Sequence, residues 1–162
     1  MRIISGTHKG KIITPDKNFK ARQTTDFAKE NLFNVLNNYI DIEDASVLDL
    51  FAGTGSISYE FASRGAGKII SIELNYNHYA FIKKTAVQLG FKNMTIFKTD
   101  VFIACKKLNG TTFDIIFADP PYNLEKINEI PAAIFNNDLL APDGIASTVV
   151  LTSRSSKDNK QT

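Results

Sequence analysis

The sequence predicts an α/β fold in which a mostly parallel sheet is covered by helices on both faces. Short apolar runs alternate along the chain with segments of helical periodicity, a spacing typical of βαβ units. The first apolar run after the initial helical segment leads directly into a turn that contains two glycines. The chain has 162 residues, of which 43% are hydrophobic and 22% charged, which suits one domain with a full core.

The first forty residues predict a small hairpin followed by a helix. Apolar runs at 2–4 and 11–13 are separated by glycines, a pattern that favours two short paired strands. Residues 24–26 offer a helix N-cap, and apolar residues recur at near-helical spacing over 27–40. One stripe of this helix should therefore face a core.

The rest of the chain predicts alternating strands and helices. Strands are expected at 47–51, 68–73, 94–100, 113–118 and 144–151, and helices at 56–64, 76–89, 101–108 and 125–135. Because crossovers between parallel strands are right-handed, the carboxyl ends of the strands share one edge, where ligands bind. We divide the chain into a basic N-terminal arm (1–25), a main domain (26–151) and a polar tail (152–162).

Positive charge is concentrated at the start of the chain. The formal net charge is +2, but residues 1–25 hold six basic residues against Asp16 alone, a net charge of +5. A basic arm on a mildly acidic body indicates a polyanionic partner. A solvated, flexible N-terminus is the alternative explanation.

The composition excludes several classes of protein. No stretch approaches the ~20 apolar residues of a membrane span, and the first residues lack the apolar block of a signal peptide. The single cysteine, Cys105, excludes an internal disulfide and a cysteine-based zinc site. We expect a cytoplasmic protein with no membrane partner and no metal.

Polar residues follow the first three predicted strands. The first strand delivers Asp49 and a loop in which Gly53 and Gly55 let the backbone pass close to a ligand. Glu73 ends the second strand, at a distance from Gly53 that suits an acid binding ribose hydroxyls, although a strand-end carboxylate facing water is the plainer explanation. Asp100 ends the third strand and suits an adenine edge, the N-cap of the next helix, or both.

The fourth strand ends in Asp119, Pro120, Pro121 and Tyr122. The prolines stiffen this loop and leave carbonyls as acceptors. Asp119 and the Pro120 carbonyl would accept the two N–H bonds of a planar amine while Tyr122 stacks on its ring. An exocyclic amine is a poor nucleophile because its lone pair is delocalised, and acceptors that hold both N–H groups aim that lone pair. We therefore predict that these four residues are catalytic, rather than only a stiff turn after a core strand.

The order of these motifs resembles that of the class I S-adenosylmethionine-dependent methyltransferases, through VLDLFAGTG, SIE, KTD and ADPPY. Two N-terminal pieces, RIISGTHKGKII and RQTTDFAKENLFNVL, resemble the bacterial RsmD-type family, which methylates a guanine N2 in small-subunit (16S) ribosomal RNA. The resemblance covers residues 1 to about 144. It implies a Rossmann-like class I methyltransferase fold, S-adenosylmethionine as cofactor, and ribosomal RNA within the small subunit as partner.

The resemblance also implies which residues contact the cofactor. Gly53 and Gly55 would border its methionine part, Glu73 would hold the ribose, and Asp100 would hold the adenine amine. The segment from Arg22 to Asp26 resembles the family's loop beside the cofactor. The full predicted set of cofactor-binding residues is Arg22, Thr24, Thr25, Asp49, Phe51, Gly53, Gly55, Glu73 and Asp100.

The sequence departs from the family pattern in three places. Gln23 stands where proline is usual, and Phe27 stands where a basic residue is usual. Members normally follow the fifth strand with two more in an antiparallel hairpin, whereas TSRSSKDNKQT follows it here. We expect those final strands to be missing, and the fifth strand to be an uncovered edge at a cost in stability.

Three other functions fit part of the pattern. The Asp-Pro-Pro-Tyr loop also suits transfer to adenine N6 or cytosine N4 in DNA or RNA. A nicotinamide-dependent dehydrogenase would explain the glycines and Glu73 but gives the loop after the fourth strand no role. A non-catalytic RNA-binding remnant is the third alternative.

Overall fold

The computed structural model describes residues 1–19 and 23–148. Within this part of the chain, helices and strands alternate as the sequence predicts. The strands are β1 Ser46–Asp49, β2 Lys68–Glu73, β3 Met94–Lys98, β4 Phe113–Ala118 and β5 Leu140–Thr148. The helices are α1 Asp26–Asn37, α2 Ser56–Ser63, α3 Tyr76–Leu89, α4 Val101–Lys107 and α5 Ile130–Asn136, the last preceded by a 3₁₀ turn at Ile127–Glu129.

The strands form one parallel sheet in the order β3-β2-β1-β4-β5. β1 lies at its centre, with Val47 opposite Ile69 of β2 on one side and opposite Ile115 of β4 on the other. All five carboxyl ends therefore face the same edge, which is where the sequence places the ligand-binding residues. The predicted α/β fold with its parallel sheet is confirmed.

Alternate residues of the central strands point to opposite faces, and helices cover both faces. Val47 and Ile69 belong to the core cluster formed with α1, α2 and α3, which includes Phe33, Ile57 and Ile82. Leu48 and Ile70 belong to the second cluster, formed with α4 and α5, which includes Val101, Cys105 and Ile134.

Residues 1–13 pack against the first of these two faces. Ile3 and Ile13 are buried in its core cluster. The predicted hairpin is present as a single antiparallel bridge between Arg2 and Ile12. The flexible N-terminus considered as an alternative is therefore not the state of these residues, because they contribute to the core.

β5 begins at Leu140, earlier than the predicted position 144. Pro142 is unexpected inside a strand, because proline cannot donate a ladder hydrogen bond. The structure instead keeps this segment in the strand, with an irregularity in its pairing between Phe113 and Ile115 of β4. The other strand bounds differ only at their ends, where β1 stops at residue 49 and β3 at residue 98.

Some predictions concern residues that the structure does not describe. These are residues 149–151 of the fifth strand, the polar tail 152–162 and the two final strands expected to be missing. In the described residues, β5 pairs with β4 and is the outermost strand on that side. None of the described helices is both long and apolar enough to cross a bilayer.

Candidate active site

The loop after β1 brings the backbone to the ligand edge in a conformation that requires glycine. Gly53 and Gly55 have φ values of 58° and 87°, in the left-handed region. A Cβ on Gly53 would meet open space, whereas one on Gly55 would lie 2.5 Å from the ring of Tyr59. α2 then starts at Ser56 without a side-chain cap, so its first turn presents backbone N–H groups near this loop.

Glu73, at the end of β2, faces the glycine loop. Its Oε2 accepts a hydrogen bond from the Gly53 N–H at 2.7 Å, and its Oε1 accepts one from the Asn75 N–H at 3.0 Å. The Nδ1 of His78 lies 3.7 Å from Oε1. The structure thus brings together the acid and the glycine that the sequence analysis assigns to one ligand.

Asp49, at the end of β1, is almost completely buried behind that loop. The Ser58 hydroxyl donates to its Oδ2 at 2.7 Å, while its buried Oδ1 has no hydrogen-bond partner among the described residues. Burial, together with the negative charges of Glu73 and Asp119, raises the pKa of Asp49 to about 7, against the lowering effect of the Ser58 hydrogen bond. Two other predicted site carboxylates, Glu73 and Asp119, therefore lie within electrostatic reach of Asp49.

Asp100 caps α4. Its Oδ1 accepts from the Phe102 N–H at 2.8 Å and from the Ile103 N–H at 3.3 Å. Of the two roles that the sequence allows, the N-cap is therefore confirmed. The contact with an adenine amine stays a prediction.

The loop after β4 extends the site beyond the sheet edge. Pro120 is buried, whereas Asp119, Pro121 and Tyr122 are exposed, the tyrosine by 70%. The Pro121 carbonyl accepts from the Leu124 N–H at 3.1 Å. The acceptor role expected of the Asp119 carboxylate and the Pro120 carbonyl stays a prediction.

The remaining predicted residues have more local roles. Thr25 caps α1 by accepting the Ala28 N–H at 3.1 Å, and Thr24 beside it is half-buried. Phe51 packs against the core cluster of α4 and α5, next to the glycine loop. Arg22 lies outside the described residues. No metal-binding group of three or more His, Cys, Asp or Glu residues occurs within residues 1–19 and 23–148.

Sequence reasoning missed a buried lysine behind the glycine loop. Lys29 of α1 is 1% exposed, and its Nζ donates to the Arg2 carbonyl at 2.5 Å and to the Ser56 hydroxyl at 3.1 Å. It lies 3.6 Å from the buried carboxylate of Glu60, and burial lowers the pKa of this lysine. Its place one turn before Phe33, on the apolar stripe of α1, was the available signal.

Comparisons with known proteins agree with this architecture. The family described as "Conserved hypothetical protein 95" matches residues 1–161. The "Ribosomal RNA small subunit methyltransferase D" of Buchnera aphidicola subsp. Baizongia pistaciae is 31% identical over 140 residues, which cover 86% of this chain and 70% of that protein.

Two solved structures are also similar. One is "Putative methyltransferase yhhF from Escherichia coli", with a TM-score of 0.81 and 30% identity over 91% of this chain and 79% of that one. Another is "A putative sam-dependent methyltransferase from Streptococcus mutans", with a TM-score of 0.61 and 26% identity over 74% of this chain and 34% of that one. The chain has the Rossmann-like class I methyltransferase fold, and it belongs to the Conserved hypothetical protein 95 family, as its resemblance to the RsmD-type methyltransferases predicted.

Proposed function

We propose that this protein uses S-adenosylmethionine to methylate the exocyclic N2 amine of a guanine in small-subunit ribosomal RNA. The observation that carries the proposal is the convergence of the glycine loop, Glu73 and Asp119 at one edge of the sheet. A relative at 31% identity is named for the same RNA, and a structural neighbour at 26% identity is named as dependent on the same cofactor. The reaction belongs in the cytoplasm, where ribosomal RNA is found.

The groups around the glycine loop fit the cofactor. The open space at Gly53 leaves room for a ligand against the backbone, beside a carboxylate of Glu73 that can accept ribose hydroxyls. The unpartnered Oδ1 of Asp49 suits an ammonium group, and the first turn of α2 suits a carboxylate. A methionine moiety carries both of these charges. When bound, the cofactor supplies a methyl group on a positively charged sulfur.

The loop after β4 would hold the acceptor base. Asp119 and the Pro120 carbonyl accept the two N–H bonds of guanine N2, and this fixes the direction of the nitrogen lone pair. The ring of Tyr122 is 70% exposed, and a base stacked on it would gain about 1–3 kcal/mol. This offsets part of the cost of taking the base out of its helix, which is a few kcal/mol.

The carboxylate of Asp119 would also stabilise the positive charge that develops on N2 during the reaction. Transfer would break the bond between the methyl carbon and sulfur and form one to N2, leaving a neutral thioether and a positive nitrogen, and a carboxylate at hydrogen-bond distance would stabilise that charge. One N2 proton then leaves, either to Asp119 or to water. The protein needs no covalent intermediate for this displacement.

The test is Asp119→Ala beside Glu125→Ala, an exposed carboxylate in the same loop region. We expect Asp119→Ala to lose methyl transfer to small-subunit RNA while it binds S-adenosylhomocysteine as tightly as the wild type does in calorimetric titration. Glu125→Ala should keep both methyl transfer and the binding of S-adenosylhomocysteine.

Nucleoside analysis of the product identifies the base. N2-methylguanine is the expected product. Methyl groups on adenine N6 or cytosine N4 would assign the enzyme to the alternative amino-methyltransferases, and full turnover by Asp119→Ala would remove the catalytic assignment. RNA binding by the wild type without any transfer would favour the non-catalytic remnant.

A further inference from the structure

A groove separates the N-terminal arm from α3. It consists of two adjoining cavities of about 1230 Å³ and 290 Å³, which share Thr14 from the arm and Phe81, Thr85 and Gln88 from α3. We call this feature the arm groove. Its larger cavity exceeds the roughly 300–1,000 Å³ of sites for small molecules.

The arm groove starts at the proposed active site. Pro121 and Asn123, from the loop that carries Asp119 and Tyr122, line one end of it, together with Asn75 and His78 beside Glu73. Its far end is lined by Lys11 and Leu89. A polymer whose reacting unit sits at the Asp-Pro-Pro-Tyr loop could continue along this path.

The walls of the groove combine stacking surfaces with polar and basic groups. The ring of Phe19 lies 5.0 Å from that of His78 and 5.1 Å from that of Phe81, both tilted, so three flat side chains form a row. Lys11 and Lys84 are exposed lysines on its two sides. The side-chain amides that line the larger cavity are Asn18, Asn75, Asn77, Gln88 and Asn123.

This combination favours single-stranded nucleic acid over other polymers. Proteins that bind single strands pair aromatic stacking platforms with positive charge along the backbone. Amides add donors and acceptors for base edges. Among the charged residues that line the two cavities, Asp16 is the acid and Lys11 and Lys84 are the permanent cations, so the groove suits a polyanion.

We propose that the arm groove binds the single-stranded RNA segment adjoining the target nucleotide. Phe19 stacks on a base of that segment, and Lys84 and Lys11 contact its phosphates. The inference rests on the proposed function and extends it, because recognition would then include a flanking strand as well as the methylated base.

Binding of a short, fluorescently labelled single-stranded RNA to the full chain tests the stacking role. We expect Phe19→Leu, which keeps an apolar side chain but loses the flat ring, to weaken binding about fivefold or more. Phe19→Tyr should restore it. Equal binding by Phe19→Leu and wild type, or equal affinity for a duplex of the same sequence, would overturn the proposal.

A matched pair of lysines tests the path of the backbone. Lys84 lines the groove, whereas its neighbour Lys83 lies over the ring of Tyr79, 5.4 Å from the centroid. Lys84→Gln should raise the KM for small-subunit RNA several-fold and leave kcat and S-adenosylhomocysteine affinity unchanged, and Lys83→Gln should change none of them. Equal effects of the two variants would contradict the groove, even if Asp119→Ala behaves as proposed.

Discussion

At Asp49 the protein keeps a carboxyl group where water cannot solvate its charge. Burial above all, and the nearby charges of Glu73 and Asp119, raise its pKa to about 7. Ser58 compensates for part of the cost through a hydrogen bond to one carboxylate oxygen. Such a group is stable when protonated and becomes a strong partner for a cation when it ionises.

The raised pKa predicts a pH-dependent stability. Between the ordinary value of 3.8 and about 7, folded Asp49 holds a proton that the unfolded chain has released, so the free energy of unfolding falls as the pH rises through this window. The slope from this group is at most about 1.4 kcal/mol per pH unit. Urea unfolding at pH 5, 6 and 7 should show wild type losing stability relative to Asp49→Asn. If the free energies of unfolding of the two proteins change in parallel with pH, the prediction is contradicted.

Among the elements, the N-terminal hairpin depends on one close backbone contact. The Thr7 N–H donates to the Ser63 carbonyl at 2.8 Å, and the Ile4 and Ser5 N–H groups donate to the Glu60 carboxylate at 3.0 Å each. Glu60 also holds Arg64 at 2.9 Å and Lys29 at 3.6 Å. The hairpin is thereby fixed to the second half of α2, where Glu60 also contacts Lys29 of α1.

Two glycines of this hairpin provide a matched test. Gly6 and Gly10 both have left-handed φ values, 87° and 82°, but a Cβ on Gly6 would lie 1.9 Å from the Ser63 carbonyl oxygen, and one on Gly10 would meet open space. Gly10→Ala should therefore cost only the backbone penalty of about 1–2 kcal/mol. Gly6→Ala should cost clearly more in denaturant unfolding, since the hairpin must move off α2. If the two variants are equally stable, the contact does not hold the hairpin.

The sequence predicts the bounds of a strand well where the pattern of apolar and polar residues along the chain determines them. Residues 68–73 form a strand with the predicted bounds, since a run of isoleucines, broken only by the buried Ser71, lies between the polar residues Lys68 and Glu73. Residues 140–143 were missed because Leu140 already pairs with Phe113 of β4, and an irregular stretch that contains Pro142 follows before regular pairing resumes at Ile145. The contacts between the hairpin and α2 join residues more than 50 positions apart, and no pattern along the chain encodes them.

The same distinction applies to the candidate site. Glu73 and Asp100 end predicted strands, so their positions at the sheet edge followed from topology. The N-cap role of Asp100 was also visible, because capping is a local interaction. By contrast, the burial of Lys29 against Glu60 depends on how α1 and α2 pack together, and composition alone does not reveal it.

At the scale of the whole molecule, exposed lysines of the described residues lie on both faces of the sheet. Lys9, Lys11 and Lys17 are exposed on the N-terminal segment that packs with α1, α2 and α3. Lys106 and Lys107 are exposed at the end of α4, on the opposite face. If RNA approaches along the arm, the lysines of the N-terminal segment contribute to long-range attraction and those of α4 do not.

Salt dependence separates these two faces. The affinity of wild type for small-subunit RNA should fall linearly on a plot of log K against log salt concentration. Replacing both Lys9 and Lys17 by Gln should reduce the slope by about 1.5, as each lost phosphate contact removes roughly 0.7–0.9. The paired variant Lys106→Gln, Lys107→Gln should leave the slope unchanged. A larger effect from α4 would place the RNA on the other face.

The central position of β1 has a consequence for the protein while it is being synthesised. The contacts between β1 and β4 form late, because the Ser46 N–H donates to Asp114, which is synthesised 68 residues later. Chains grow at about 5–20 residues per second, so several seconds separate the two strands. During that interval a nascent chain contains the glycine loop and Glu73 without the loop that carries Asp119. On the role proposed for Asp119, the chain transfers a methyl group only after its fourth strand has docked, so catalytic competence arrives late in synthesis.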